Sequence, residues 1–324
     1  MSARRRFGRA SAREARQGDT VPIGAGHRLL SLISLVILPL LVLIAAVPMA
    51  WRYGWGPSWL DVGLGVSLYA VAIFGITAGY HRCFTHRSFA ARGPLKVALA
   101  LSGGIALEGP VTLWAAEHRR HHRFSDAPGD PHSPWRFGTG PIALLRGLIH
   151  AQVGWFATAP SRSDRERYVP DLLADPILRW IDRYYLVIAA GSLLLPAAIG
   201  GLATSSRHGA ITAFLWAGLV RYALVHHVTW SVNSICHAFG DRHYPTRGAD
   251  RSRDVRWVAL LTFGEGWHNL HHANPTSARH GGLPGQHDPT AALIRVFERL
   301  GWAYDVHWPV APRYEDPGAA APVR

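Results

Sequence analysis

Lysine is all but missing: Lys96 is the only one in 324 residues, so nearly all the positive charge is arginine. The formal charge is still +13, from 34 basic and 21 acidic side chains. A surplus of that size suits nucleic acid, anionic lipid or an acidic protein partner. No nucleic-acid-binding motif accompanies it. The arginines gather at the N-terminus and beside apolar runs, which points to a lipid surface and a protein partner instead. An arginine bias also follows from a GC-rich genome, so by itself it assigns no function. Cysteine is scarce too. Cys83 and Cys236 allow at most one bridge and form no C-x-x-C pair. A disulfide framework is excluded, a reduced compartment fits, and both thiols read as small packing residues. The first 28 residues are arginine-rich and lack an apolar core followed by a small-residue cleavage site. They are expected to form a disordered basic cytosolic tail, with 308–324 as a second disordered tail.

Long apolar runs are what the chain has in abundance. Leu29 to Ala50 is 22 residues without a charge, which at 1.5 Å per residue is roughly 33 Å and enough to cross a bilayer core. Further spans are expected at about 60–80, 184–203 and 210–230. Even numbering puts both termini on one side, and the arginines of the N-terminus and of 161–183 place that side in the cytosol. A bacterial cytoplasmic membrane is the expected setting. The stretch 94–114 is interrupted by Gly103, Gly104, Gly109 and Pro110, so a buried or interfacial helix is expected there and not a fifth span. An amphipathic piece at 141–157 suits the membrane surface.

Nine of the 19 histidines fall into four short patterns. They are His81 and His86 in HRCFTH; His118, His121 and His122 in EHRRHH; His237 in NSICH; and His268, His271 and His272 in WHNLHH. On a helix, i, i+3 and i+4 lie on one side, so each H-x-x-H-H is expected to aim three imidazoles at one point. Asn233 and His237 share a face in the same way. His81 and His86, five apart, sit about 140° from each other on an ideal α-helix and are expected to spread over two metals. Packed imidazoles repel if protonated, so a cation has to hold them neutral. Nine nitrogens suit two first-row ions better than one. Imidazole accepts iron, copper, zinc or nickel, and the setting favours iron: the mouth of a membrane bundle, open to lipid-soluble, inert substrates. Glu117 and Glu265, beside these histidines, are expected to accept imidazole N–H bonds. Asp130 and His132 read as turn formers, and His226 and His227 as hydrogen-bonded helix-interface residues.

The stretches GITAGYHRCFTHRSF, LWAAEHRRHHRFSDAPGDPHSP, TWSVNSICH and GEGWHNLHHANP, in that order, resemble the membrane fatty acyl desaturases, and the stearoyl-CoA desaturase branch most of all. The resemblance covers about 30–307. It implies an all-α integral membrane protein with four transmembrane helices and a helical cytosolic cap that holds a histidine-rich di-iron site, the domain running over 29–307. It implies His81, His86, His118, His121, His122, His237, His268, His271 and His272 as ligands of two Fe2+ ions, with Asn233 meeting one through water. Trp114, Thr229 and Trp230 match the bend of an acyl tunnel, and Tyr69 and Ile73 are candidates for its closed end. The implied reaction is O2-dependent formation of a cis double bond, usually at the ninth carbon of a saturated acyl chain. Its electrons come from a separate ferredoxin or b-type cytochrome with its reductase. Glu108-Gly109 and Ala116-Glu117 stand where the animal enzymes have Gln-Asn and Arg-Asp, leaving open whether the chain is carried on CoA, a lipid or another thioester. A hydroxylase of alkane or sterol type shares such motifs. A histidine-rich metal transporter or haem protein is the competing class.

Overall fold

The computed structural model describes residues 20–158 and 161–309. Most of the sequence-expected tails, 1–19 and 310–324, lie outside the described residues. Among the described residues, four helices are long and apolar enough to cross a membrane: α1 (Ala25–Tyr53), α2 (Trp59–Thr85), and, after the segments described below, Tyr185–Thr204 and Arg207–Ser234. Their lipid-compatible surface is evident from fully apolar side chains left exposed, among them Ile44 and Val47 on α1. The first hairpin turns at Gly54, whose left-handed φ of +66° ends α1 without cost to a side chain. Ser58 then starts α2 with a capping box: its Oγ accepts from Asp61 N at 3.2 Å and its own N–H donates to Asp61 Oδ2 at 2.9 Å. The one acid at the head of this span is therefore a helix cap.

Two shorter helices lean on α2. They are α3 (Gly93–Gly104) and α4 (Val111–Phe124), and at 12 residues α3 is only ~18 Å long, too short to span. Backbones touch where α2 meets α3: a Cβ on Gly75 would lie 2.1 Å from the Ser102 carbonyl carbon. The turn between α3 and α4 carries Leu107 at φ +63° and Gly109 at φ +108°. Next come α5 (141–158), which leaves Ile142, Leu145 and Ile149 exposed along one side, as a helix lying on a membrane surface would, and α6 (Pro176–Arg183). The last two spans are α7 (Tyr185–Thr204) and α8 (Arg207–Ser234).

The C-terminal part supplies α9 (Arg256–Leu261), α10 (His268–Ala273) and α11 (Pro289–Arg299). It closes over one end of the bundle, where the C-terminal ends of α2 and α8 meet. Two small antiparallel pairs tie the ends down: β1 (Thr20–Pro22) with β2 (Ser161–Ser163), register Thr20 to Ser163, and Ala90–Ala91 with Ala303–Tyr304. The result is an all-α membrane bundle with a helical cap. Cys83 and Cys236 are both buried and free.

Candidate metal centre

The nine histidines converge at that end of the bundle but in two groups. His81, His86, His118, His122 and His271 form one, and His121, His237, His268 and His272 the other; within each, the candidate ligand atoms lie within 4.8 Å of one another. The division corrects two expectations. Neither H-x-x-H-H aims at one point: α4 gives His118 and His122 to the first group and His121 to the second, while α10 gives His271 to the first and His268 and His272 to the second. Residues i+3 and i+4 diverge by about 100° around a helix, so i and i+4 face one way and i+3 the other. Nor do His81 and His86 separate. The end of α2 winds with i→i+5 bonds, seen in His86 N–H to His81 O at 3.0 Å, and such winding brings residues five apart onto one side. Their rings lie 4.8 Å apart.

Carboxylates stand behind several rings. His81 Nδ1 meets Glu265. His121 Nδ1 is 3.0 Å from Asp130 Oδ1, His237 Nδ1 is 2.8 Å from Asp126 Oδ2, and His272 Nδ1 is 2.5 Å from Asp250 Oδ2. A carboxylate accepts the Nδ1 proton, which leaves Nε2 bare and turned inward. Glu265, expected to accept an imidazole N–H, stands at His81 Nδ1. Glu117 is placed otherwise, with Ser163 donating to it from N–H at 3.1 Å and from Oγ at 2.8 Å. Asp130 shapes a turn as expected, accepting from Asp126 N at 2.8 Å, and also holds His121.

A buried arginine, a buried histidine and two acids brace the first group. Arg82, fully buried, donates to Glu265 Oε1 at 3.1 Å, to Asp288 Oδ1 at 3.1 Å and to the Ala278 carbonyl at 2.9 Å. His280, also fully buried, packs its ring 4.4 Å from His271 and sets Nδ1 3.3 Å from Glu265. Sequence reasoning passed over Asp126, Asp250, Arg82, Asp288 and His280. Only the acids of SDAPGD, next to HRRHH, carried a local signal.

The residues fit a metal. Nε2 atoms face each other at 3.1 Å (His81 and His271), 2.9 Å (His271 and His122), 3.1 Å (His268 and His237) and 3.0 Å (His272 and His268). Nε2 of His86 and of His121 is buried with no hydrogen-bond partner. Lone pairs so placed repel unless a proton or a cation sits between them. Burial and the neighbouring imidazoles push His118, His122, His268, His271 and His272 well below the ordinary histidine range. These rings are therefore held neutral, the state in which imidazole nitrogens can ligate a cation. His237 goes the other way, to about 8: burial lowers it, but Asp126, Asp250 and Asp130 together raise it more.

A cavity of about 520 Å³ runs to both groups, within the range of ligand sites. Its exposed lining includes His27 and Leu30 of α1, Arg183 of α6 and Leu186 of α7; its buried lining includes Ile76, Thr77, Thr262, His81, His118 and His268. Trp114, Thr229 and Trp230 line it, as does Asn233, which belongs to neither histidine group. Tyr69 and Ile73 are not among the lining residues. Tyr69 instead donates to the Leu261 carbonyl at 2.9 Å, and Ile73 is sealed in the core. The α2 residues that do line it start one turn further along, at Ile76 and Thr77.

The fatty acid desaturase family model matches residues 57–308. The hex-5-enoyl-[acyl-carrier protein] acetylenase of Moorena producens is 40% identical over 282 residues, 86% of this chain and 86% of that protein. The sn-1 stearoyl-lipid 9-desaturase of Anabaena variabilis is 36% identical over 251 residues, 77% of this chain and 85% of that protein. Acyl-CoA desaturase 1 of Saccharomyces cerevisiae is 33% identical over 274 residues, 82% of this chain and 51% of that protein. A family match over most of the chain and relatives at 33–40% identity show that the chain belongs to the fatty acid desaturase family and is an oxidoreductase.

Proposed function

We propose that this protein is an oxygen-dependent fatty acyl desaturase that places a cis double bond, at the ninth carbon, in a saturated chain carried on CoA, a lipid or another thioester. The observation that carries the reading is that both histidine groups line the inner part of one apolar cavity. His81, His86, His118, His122 and His271 would hold one iron, and His121, His237, His268 and His272 the other, with Asn233 reaching one through water. Bound iron supplies the activation of dioxygen that an inert methylene requires. The reaction removes two hydrogens from the chain and, with two electrons and two protons from outside, reduces O2 to two waters.

The protein's own residues do the rest. The apolar walls take up the chain and exclude water, while Trp114, Thr229 and Trp230 set its path past the histidines. Glu265, Asp130, Asp126 and Asp250 keep the Nδ1 protons, so that Nε2 stays free on the inner side. Electrons would come from a separate ferredoxin or b-type cytochrome, drawn by the basic surface. The histidine end of the bundle would face the cytosol.

Purified protein supplied with iron, O2 and a reduced donor should convert stearoyl-CoA, stearoyl-[acyl-carrier protein] or stearoyl phospholipid to a monounsaturated product. Gas chromatography with mass spectrometry reads the bond position. A hydroxylated chain as the sole product would replace this reading with a hydroxylase. An alkyne formed only from a supplied alkene would replace it with the acetylenase chemistry named for the Moorena relative.

A further inference from the structure

Among the residues that line the cavity stands an acid the histidine chemistry does not use. Glu108 sits in the turn between α3 and α4, and that turn is pinned from two helices. Arg221 of α8 donates to the Ile105 carbonyl at 2.9 Å, and Ser192 of α7 donates to it at 2.8 Å. His226 Nε2 lies 3.0 Å from the Ala106 carbonyl, and Gly109 N–H donates to Tyr185 Oη at 2.9 Å. The carboxyl is thereby fixed in place, and what room it has is inside the cavity.

Its two partners can be counted. Trp114 Nε1–H donates to Glu108 Oε2 at 2.8 Å, so that oxygen accepts. Oε1 meets the hydroxyl of Thr229. That hydroxyl has a single proton, and it also lies 2.9 Å from the Val225 carbonyl and 3.1 Å from the His226 carbonyl of its own helix, where threonine hydroxyls ordinarily donate. With the proton given to the helix, Thr229 must accept from Glu108.

We infer that Glu108 works as a neutral carboxylic acid, accepting from Trp114 and donating to Thr229, and that this two-sided bond positions the walls of the bend around the acyl chain. The assignment deepens the acyl-chain reading above and rests on it. The charged and titratable groups around the turn offer no compensation for a carboxylate. They are Tyr80 of α2, Asp182 and Arg183 of α6, Tyr185 of α7, Arg221, Tyr222 and His226 of α8, Glu117 and His118 of α4, and His27 of α1. None of them donates to Glu108; Arg221 is committed to carbonyls and Asp182 to Thr112. Burial pushes the Glu108 carboxyl up to about 7, against the bonds from Thr229 and Trp114. An acid raised in this way keeps its bond at low pH and loses it as the pH climbs through that value. A carboxylate beside an apolar chain is then disfavoured on both counts.

The test uses the full chain in lipid nanodiscs and a tritiated stearoyl thioester of N-acetylcysteamine, a probe with no titratable head group. Wild-type affinity should fall with rising pH, approaching about tenfold per pH unit above about 7. Glu108→Gln, which can accept from Trp114 and donate to Thr229 at every pH, should show no such slope. Glu166→Gln, an exposed change far from the cavity, should keep the wild-type slope. Infrared difference spectra should show a protonated-carboxyl stretch in the wild type at about pH 6 that Glu108→Gln lacks. A flat wild-type profile, an equal slope in Glu108→Gln, or no protonated carboxyl would overturn the assignment. Failure of the wild type to bind the probe at any pH would instead count against the acyl-chain reading, with the infrared band still deciding the protonation state.

Discussion

Asp250 and Asp126 each hold one imidazole of the four-histidine group, yet their amides should behave differently. Asp250 Oδ2 takes the His272 Nδ1 proton, while Oδ1 accepts from Ser252 N–H at 2.9 Å. Asp250→Asn has one oxygen for these two donors. If the oxygen stays with Ser252, the amide NH2 faces His272, Nδ1 becomes the acceptor, and the ring proton moves to Nε2, where the metal should bind. Asp126 Oδ2 takes His237 Nδ1 at 2.8 Å and Arg251 N–H at 2.9 Å, while Oδ1 meets Ser133 Oγ, a hydroxyl that can reverse its role. Asp126→Asn can therefore keep its oxygen on His237. Loss of such a carboxylate costs about 10- to 100-fold in metal affinity, or about 1.4–2.7 kcal/mol. Asp250→Asn is expected at the upper end and Asp126→Asn at or below the lower. The assay counts iron per chain by mass spectrometry after dialysis against a graded chelator series. The wild type should hold two per chain, and Asp250→Asn should fall to one at roughly 100-fold less chelator. Equal retention by the two variants would refute the reasoning.

Three further outcomes follow from packing. Gly75→Ala places a Cβ 2.1 Å from the Ser102 carbonyl carbon; neither backbone can yield cheaply, so destabilisation above about 1–3 kcal/mol is expected, read as a lowered thermal midpoint in detergent. Ile76→Phe should shorten the cavity and shift product chains to shorter lengths, whereas Tyr69→Ala, outside the cavity lining, should leave the chain-length profile alone; the reverse result would restore Tyr69 as the stop. Arg82→Met leaves Glu265 and Asp288 without their shared cation and should cost about 3–5 kcal/mol, with loss of folded protein on size-exclusion chromatography.

The spans and the histidines could be read from the sequence because each is a local pattern: an uninterrupted apolar run, or a ring at every third and fourth position. How the rings divide could not. His81 and His86 share a group because α2 changes its winding near its end, and nothing in HRCFTH announces an i→i+5 bond. The second span also runs on to Thr85, past the sequence estimate of 80, because His81, Arg82 and Thr85 are polar yet buried beneath the cap. Asp250 stands 22 residues from His272 and Asp126 stands 111 from His237, separations over which sequence pattern has no reach. Tyr69 and Ile73 were plausible ends for the cavity by their position on α2, but the chain turned that face toward Leu261 and the core. Glu108 drew notice only as a departure from a family pattern, and its meaning depends on the hydroxyl of Thr229, 121 residues away.

Diffraction at the iron absorption edge from crystals of the iron-loaded protein tests the central claim most directly. The account predicts two anomalous peaks, one among His81, His86, His118, His122 and His271, the other among His121, His237, His268 and His272, both beside the inner cavity. A single peak between the groups, or iron bound elsewhere, would contradict it.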